Sequence, residues 1–131
     1  MNVEVFALCD YAHDERGKLT VVGAFDALML NELPAVHPLL CIALRLRFLV
    51  YELGSHEILL TLKDENGQPA ASPLRAGIEV NGIGRDSACA NLALRLFNLR
   101  WEREGRWHFQ LDIDGHEKAQ LPLYVCRTPR T

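Results

Sequence analysis

The sequence predicts an all-β fold, an antiparallel two-sheet β-sandwich of about eight strands, immunoglobulin-like or similar. Three observations carry that prediction. Apolar and polar residues alternate with period two over most of the chain. Turn-forming residues punctuate it at intervals of roughly 8 to 12 residues. No segment repeats apolar residues at helical spacing for more than a turn, the short stretch 28–33 being the one that could form a turn of helix.

Taken in order, residues 3–12 read as a first strand and 13–17 (His-Asp-Glu-Arg-Gly) as a polar turn. Residues 18–30 read as one long strand, bent or bulged at Gly23. Residues 31–38 hold two prolines and read as a connecting loop. In 41–51, Ile42, Leu44, Leu46, Phe48 and Val50 share the inward face. Residues 52–55 form a turn, and 56–63 return with Ile58, Leu60 and Leu62 inward, which predicts a hairpin. Asp64-Glu65-Asn66-Gly67 ends that strand, and 68–73 is a proline-containing loop. Further strands are expected at 74–80 and 91–101, joined by the glycine-rich 81–86, with a bulge near Phe97-Asn98 where the alternation slips. The clearest strand is 106–115. There Trp107, Phe109, Leu111 and Ile113 form one face, and Asp114-Gly115 supplies a tight turn into 117–127. Pro122 predicts an edge position or a bulge, because proline cannot donate to a ladder.

At 131 residues and 49 % hydrophobic residues, the chain has material for one core, and residues 1–131 read as a single domain. Charged residues make up 24 %, which suits a folded protein. Fourteen basic against seventeen acidic residues leave a net charge of −3, so no nucleic-acid partner is expected. No apolar run is long enough to span a bilayer, and Met1-Asn2-Val3-Glu4 lacks the basic start of a secretory signal. Cys9, Cys41, Cys89 and Cys126 are widely spaced in apolar surroundings. They read as free thiols in a reducing, cytoplasmic compartment.

Several short patterns resemble an uncharacterised bacterial family of small single-domain proteins. Its opening reads D-x-A, then GKL, then G-x-F-D. Here Asp10-Tyr11-Ala12, Gly17-Lys18-Leu19 and Gly23-Ala24-Phe25-Asp26 match it. Pro34, His37-Pro38, the strand Ala43-Leu44-Arg45-Leu46, Gly54-Ser55-His56-Glu57 and Gly105-Arg106-Trp107-His108-Phe109 continue the match over most of the chain. The resemblance implies a small β-sandwich and brings no catalytic residue. The Gly-x-Trp-x-Phe stretch is also similar to a late strand of immunoglobulin-like and fibronectin-like sandwiches. Trp107 stands where those domains often carry tyrosine.

Candidate chemistry is sparse. Asp10, Asp26 and His37 lie in or near loops and could gather a ligand or a metal at one end of a sandwich, but no calcium loop is present. Cys9 and His13 lack the further ligands a zinc site needs. Ser55 and His56 are adjacent and so point to opposite faces of a strand, and no nucleophile elbow, P-loop or dinucleotide fingerprint occurs. Asp112 and Asp114 share a solvent face. Arg45 and Arg47, with Arg95, Arg100 and Arg103, could line an outer face able to bind anions, or could pair with Glu57, Glu79 or Glu102. Leu49, Tyr51, Leu59, Phe97, Leu99 and Trp101 fall off the inward register and are surplus to one core. The sequence therefore points to a non-enzymatic protein-association module, self-paired as a homodimer or bound to another protein. The alternative is a small-ligand or metal-binding domain. No cofactor is implied.

Overall fold

The computed structural model describes residues 1–129. Nine strands form two sheets that pack face to face as a β-sandwich. They are β1 (Asn2–Glu15), β2 (Lys18–Phe25), β3 (Ala27–Leu30), β4 (Ala35–Leu49), β5 (Gly54–Lys63), β6 (Leu74–Val80), β7 (Ser87–Trp101), β8 (Gly105–Ile113) and β9 (His116–Arg127). One sheet has the order β2-β1-β4-β7 and the other β3-β9-β8-β5-β6. A single turn of 3-10 helix, Val50–Glu52, follows β4. Among the described residues, no helix is long and apolar enough to cross a membrane.

The inward rows meet as the alternation requires. Leu40, Ile42, Leu44, Leu46 and Phe48 of β4 face Ile58, Leu60 and Leu62 of β5, together with Trp107, Phe109, Leu111 and Ile113 of β8, in one buried core. The β8–β9 hairpin forms as predicted, its turn made by Asp114 and Gly115, both at positive φ.

Several expectations are corrected. The stretch 18–30 is two strands, not one. It breaks at Asp26, and β3 leaves the first sheet to join the second, which raises the strand count to nine. That strand occupies the place where a helical turn was conceivable, and it runs parallel to β9, so the sandwich is not wholly antiparallel. The predicted hairpin of 41–51 with 56–63 does not exist. Beta-4 pairs with β1 and β7, β5 pairs with β6 and β8, and the turn between them carries the chain from one sheet to the other. Alternation alone cannot tell a hairpin from such a crossing, since both leave one apolar face on each strand. Finally, Val50 leaves the inward row and is exposed in the 3-10 turn, while β4 starts early, at Ala35, running through Pro38.

Pro122 obeys the edge rule in an unexpected way. Beta-9 lies between β3 and β8, but β3 covers only Tyr124 to Arg127. At Pro122 one side of the strand has its partner in His108 and the other lies beyond the reach of β3, so no ladder bond is sacrificed.

Beta-4 is buried on both faces. Its outward Cys41 and Ala43, with Cys9 and Ala12 of β1, form a second small core against Leu19 of β2 and Ala93 of β7. The far half of the β1–β2 hairpin curls over the sheet to cover this patch. Asn91 Nδ2 on β7 donates to Asp14 Oδ1 and to the Gly17 carbonyl at the hairpin tip, each at 3.0 Å. Small side chains beneath the hairpin permit that approach. Gly23 assists from above, at φ +67, where a Cβ would stand 2.4 Å from Asp10 Oδ2.

Candidate functional site

The outward face of the four-stranded sheet carries the densest polar network. Beta-1 bulges between Val3 and Val5, and the extra residue is Glu4. A bulge re-aims the side chain it releases. Here it sets the Glu4 carboxylate between Arg45 and Arg47 of β4. Arg45 Nε donates to Glu4 Oε1 at 2.9 Å, and Arg47 Nε donates to Glu4 Oε2. The arginines then reach across to β7. Arg45 Nη1 donates to Asn91 Oδ1 at 3.0 Å and Arg47 Nη1 to Ser87 Oγ at 2.9 Å. Cys89 Sγ lies 3.5 Å from Glu4 Oε1. Arg47 first, and Arg45 after it, hold the Glu4 carboxyl down at about 2. Burial pushes the Cys89 thiol up.

The network is chiefly a clamp that ties β7 to β4 and β1. Glu4→Gln is expected to loosen it and to lower the melting temperature at neutral pH. The depressed Glu4 contributes stability that is present above its ordinary value of 4.5 and lost as pH falls toward about 2. Melting curves across that window should therefore show a shallower acid limb in Glu4→Gln than in the wild type.

The other sequence-predicted positions scatter. Asp10 is exposed beside Gly23, and Asp26 is exposed between β2 and β3, its carbonyl accepting the Tyr124 N–H at 2.8 Å. His37 is half-buried on β4, opposite Leu99. Among the described residues, no group of three or more His, Cys, Asp or Glu side chains is placed to hold a metal ion. Arg95 lies over the Tyr11 ring, Arg100 pairs with Glu102 and Arg103 with Glu65. Glu57 pairs with Arg75, and Glu79 accepts from Ser55.

One histidine is held more firmly than its sequence context suggests. His56 Nδ1 lies 2.6 Å from Asp114 Oδ2, His56 Nε2 lies 2.5 Å from the Glu52 carbonyl, and the ring stacks on Phe48 at 4.3 Å between centroids. Both ring nitrogens face acceptors, which ties β5 to the β8–β9 turn. No sequence motif signals it, because His56 and Asp114 meet only through the β5–β8 register.

Beta-7 is the remaining feature. It is a fifteen-residue strand at a sheet edge, paired among the described residues only with β4. Its inward Ala88, Ala90, Leu92, Leu94 and Leu96 are only half-buried. The β4 residues opposite them, Phe48, Leu46, Leu44, Ile42 and Leu40, are completely buried. The sandwich is thus open along β7. Of the six residues expected to be surplus, Trp101 is buried in the core, and Leu99 packs against it. Asn98, at φ +54 opposite Pro38, lets the strand change phase and return both inward. Phe97 and Tyr51 stay outside, 65 % and 80 % exposed, and Leu49 is also exposed. Leu59 is half-buried.

No curated protein matches the chain. Over residues 4–126, spanning the Glu4 clamp, all of β7 and most of β9, the sequence fits a described family, and the chain therefore belongs to the family of unknown function DUF6941.

Proposed function

We propose that this chain is a non-enzymatic association module that pairs with a second copy of itself along the free edge of β7. The observation that supports this reading most directly is the row of half-buried Leu92, Leu94 and Leu96 on an edge strand with no outer neighbour. A long edge offers a ready row of backbone donors and acceptors, and soluble proteins normally blunt such edges. Beta-7 carries no proline and no inward charge between Ser87 and Phe97. The left-handed Asn98 interrupts the regular edge, so pairing is confined to the eleven residues before it, a run of roughly 35 Å at about 3.3 Å per residue. The clamp through Asn91 and Ser87 ties β7 to β4 from within the sheet and leaves its outer edge for another strand. Antiparallel pairing of two β7 strands would make a continuous eight-stranded sheet with a two-fold axis near Leu92.

The same reading places the module in a reducing, bacterial cytoplasm. Its support is four free thiols, two of which, Cys9 and Cys41, are directly opposed across β1 and β4.

Size-exclusion chromatography with light scattering over a concentration series tests the pairing. The expected mass is that of two chains, falling to one chain in Leu94→Lys, with the β-type circular dichroism spectrum retained. Ala90→Lys is the second variant, should Leu94→Lys not fold. A wild-type mass of one chain at every concentration overturns the reading, as does a folded lysine variant that remains a dimer.

A further inference from the structure

A cavity of about 370 Å³ opens at one end of the sandwich, between the β5–β6 loop and the β7–β8 turn. We infer that it is a binding site for a small monocarboxylic acid with an aromatic or branched apolar body. The volume suits such a molecule. At about 30 Å³ per water-sized unit it holds on the order of a dozen non-hydrogen atoms.

The walls are apolar where the body would lie. Trp101 and Trp107 meet edge to face, 5.3 Å between centroids and 76° between planes, with Leu62, Leu99 and Ala71 around them. Two observations mark the place as more than a packing gap. Trp101 is 2 % exposed, and its indole Nε1–H has no hydrogen-bond partner among the described residues. A buried donor without an acceptor is costly, and folded proteins rarely leave one. In addition, the Arg103 guanidinium lies over the Trp107 ring at 4.9 Å. Gly105 makes room for that stack. A Cβ there would stand 3.0 Å from Arg103 Nη1 and 3.2 Å from Trp107 Cζ3.

The anion would be selected by the guanidinium groups, because the two carboxylates that also line the cavity, Asp64 and Glu102, are engaged within the chain, Glu102 by Arg100. Arg100 and Arg103 stand at the rim and can only donate. Their present partners, Glu102 and Glu65, are about half-exposed or more, and surface pairs of this kind exchange readily. The rim carboxylate of Asp64 is already engaged, its Oδ1 accepting the Asn66 and Gln68 backbone N–H groups. A ligand carboxylate would thus take the guanidinium of Arg103 while its apolar body lies against the two indoles.

The chain has two tryptophans and both line this cavity, so tryptophan emission reports on it alone. Titration with 3-phenylpropionate is expected to give a saturable change in emission and a rise in melting temperature. The matched alcohol and amine, 3-phenylpropanol and 3-phenylpropylamine, should bind more weakly. Arg103→Gln should weaken the acid by roughly tenfold, the worth of one charge-assisted hydrogen bond, and leave the alcohol unchanged. Equal responses to all three probes would overturn the inference, as would the absence of any saturable response or an undiminished affinity in Arg103→Gln.

Discussion

Phe109→Ala is expected to destabilise the protein by about 3 to 5 kcal/mol, the range for truncating a fully enclosed aromatic ring. Phe109 is 2 % exposed and sits in the middle of β8, itself flanked by β5 and β9. Its cross-strand partners Leu62 and Leu121 are fixed by ladders on both sides, so the hole left behind cannot collapse. For a domain of this size the loss should lower the melting temperature by roughly 10 to 20 °C. Phe109→Leu, which keeps most of the volume, should lose far less. Chemical denaturation of the three proteins checks both statements. An alanine variant within 1 kcal/mol or so of the wild type would mean that β8 is not the central strand of a packed interior.

The second large effect centres on Asp114, which does three things at once. Its backbone takes φ +52 at the head of the β8–β9 turn, its Oδ1 accepts the Glu57 N–H at 2.8 Å, and its Oδ2 holds His56. Asp114→Ala forfeits all three. The left-handed conformation costs alanine about 1 kcal/mol and the lost bond to Glu57 about as much again, so about 2 kcal/mol is expected before the loss of the His56 contact is added. Asp114→Asn should cost less, since asparagine tolerates positive φ and can still accept from Glu57.

The pair also sets a pH dependence. The hydrogen bond to Asp114 raises the His56 value above its ordinary 6.5, with the Glu52 carbonyl adding to the effect. A raised value means that the folded state favours the protonated ring. Its stabilisation is complete below 6.5 and is lost as pH climbs through the folded value. The carboxyl of Asp114 is lowered, chiefly by the Glu57 N–H and then by His56, so its share appears above 3.8 and disappears in acid. Melting temperature against pH should therefore decline on the alkaline side of 6.5, and His56→Gln should flatten that decline. An identical alkaline slope in the two proteins would remove His56 as its source.

The parts of this fold that were legible in the sequence share one property: their partners are close in the chain. Beta-8 and β9 are joined by Asp-Gly, so alternation and turn chemistry name both the strands and their pairing. The slip in alternation at Phe97-Asn98 was visible for a similar reason, but it comes from one left-handed residue, Asn98, in an unbroken register and not from the bulge that the pattern suggested. Pairings made at a distance were not legible. Glu4 meets Arg45 and Arg47 because β1 bulges by one residue, and nothing in the local pattern shows a bulge until the partner strand is known. Of the acids weighed as partners for the arginine set, Glu102 does pair with Arg100, while Glu57 pairs with Arg75 and Glu79 accepts from Ser55. His56 and Asp114 stand 58 residues apart and meet through a sheet register. The cysteines were read as small apolar groups, which fits Cys9 and Cys41, but the reason small groups are needed there is the hairpin that folds across the outer face of β4, a tertiary event without a local signature.

The order of the strands also bears on how the chain reaches this state. Four of its ladders, β1–β4, β4–β7, β5–β8 and β3–β9, join segments that do not follow one another. During synthesis β4 must wait for β7, and the short β3 must wait for β9, roughly a hundred residues later, before it has any neighbour at all. Chains dominated by such distant pairings fold in milliseconds to seconds, not microseconds. While they wait, the leucines of β4 and β5 are unprotected on the nascent polypeptide, and that interval is when this molecule is most exposed to aggregation and most dependent on chaperones.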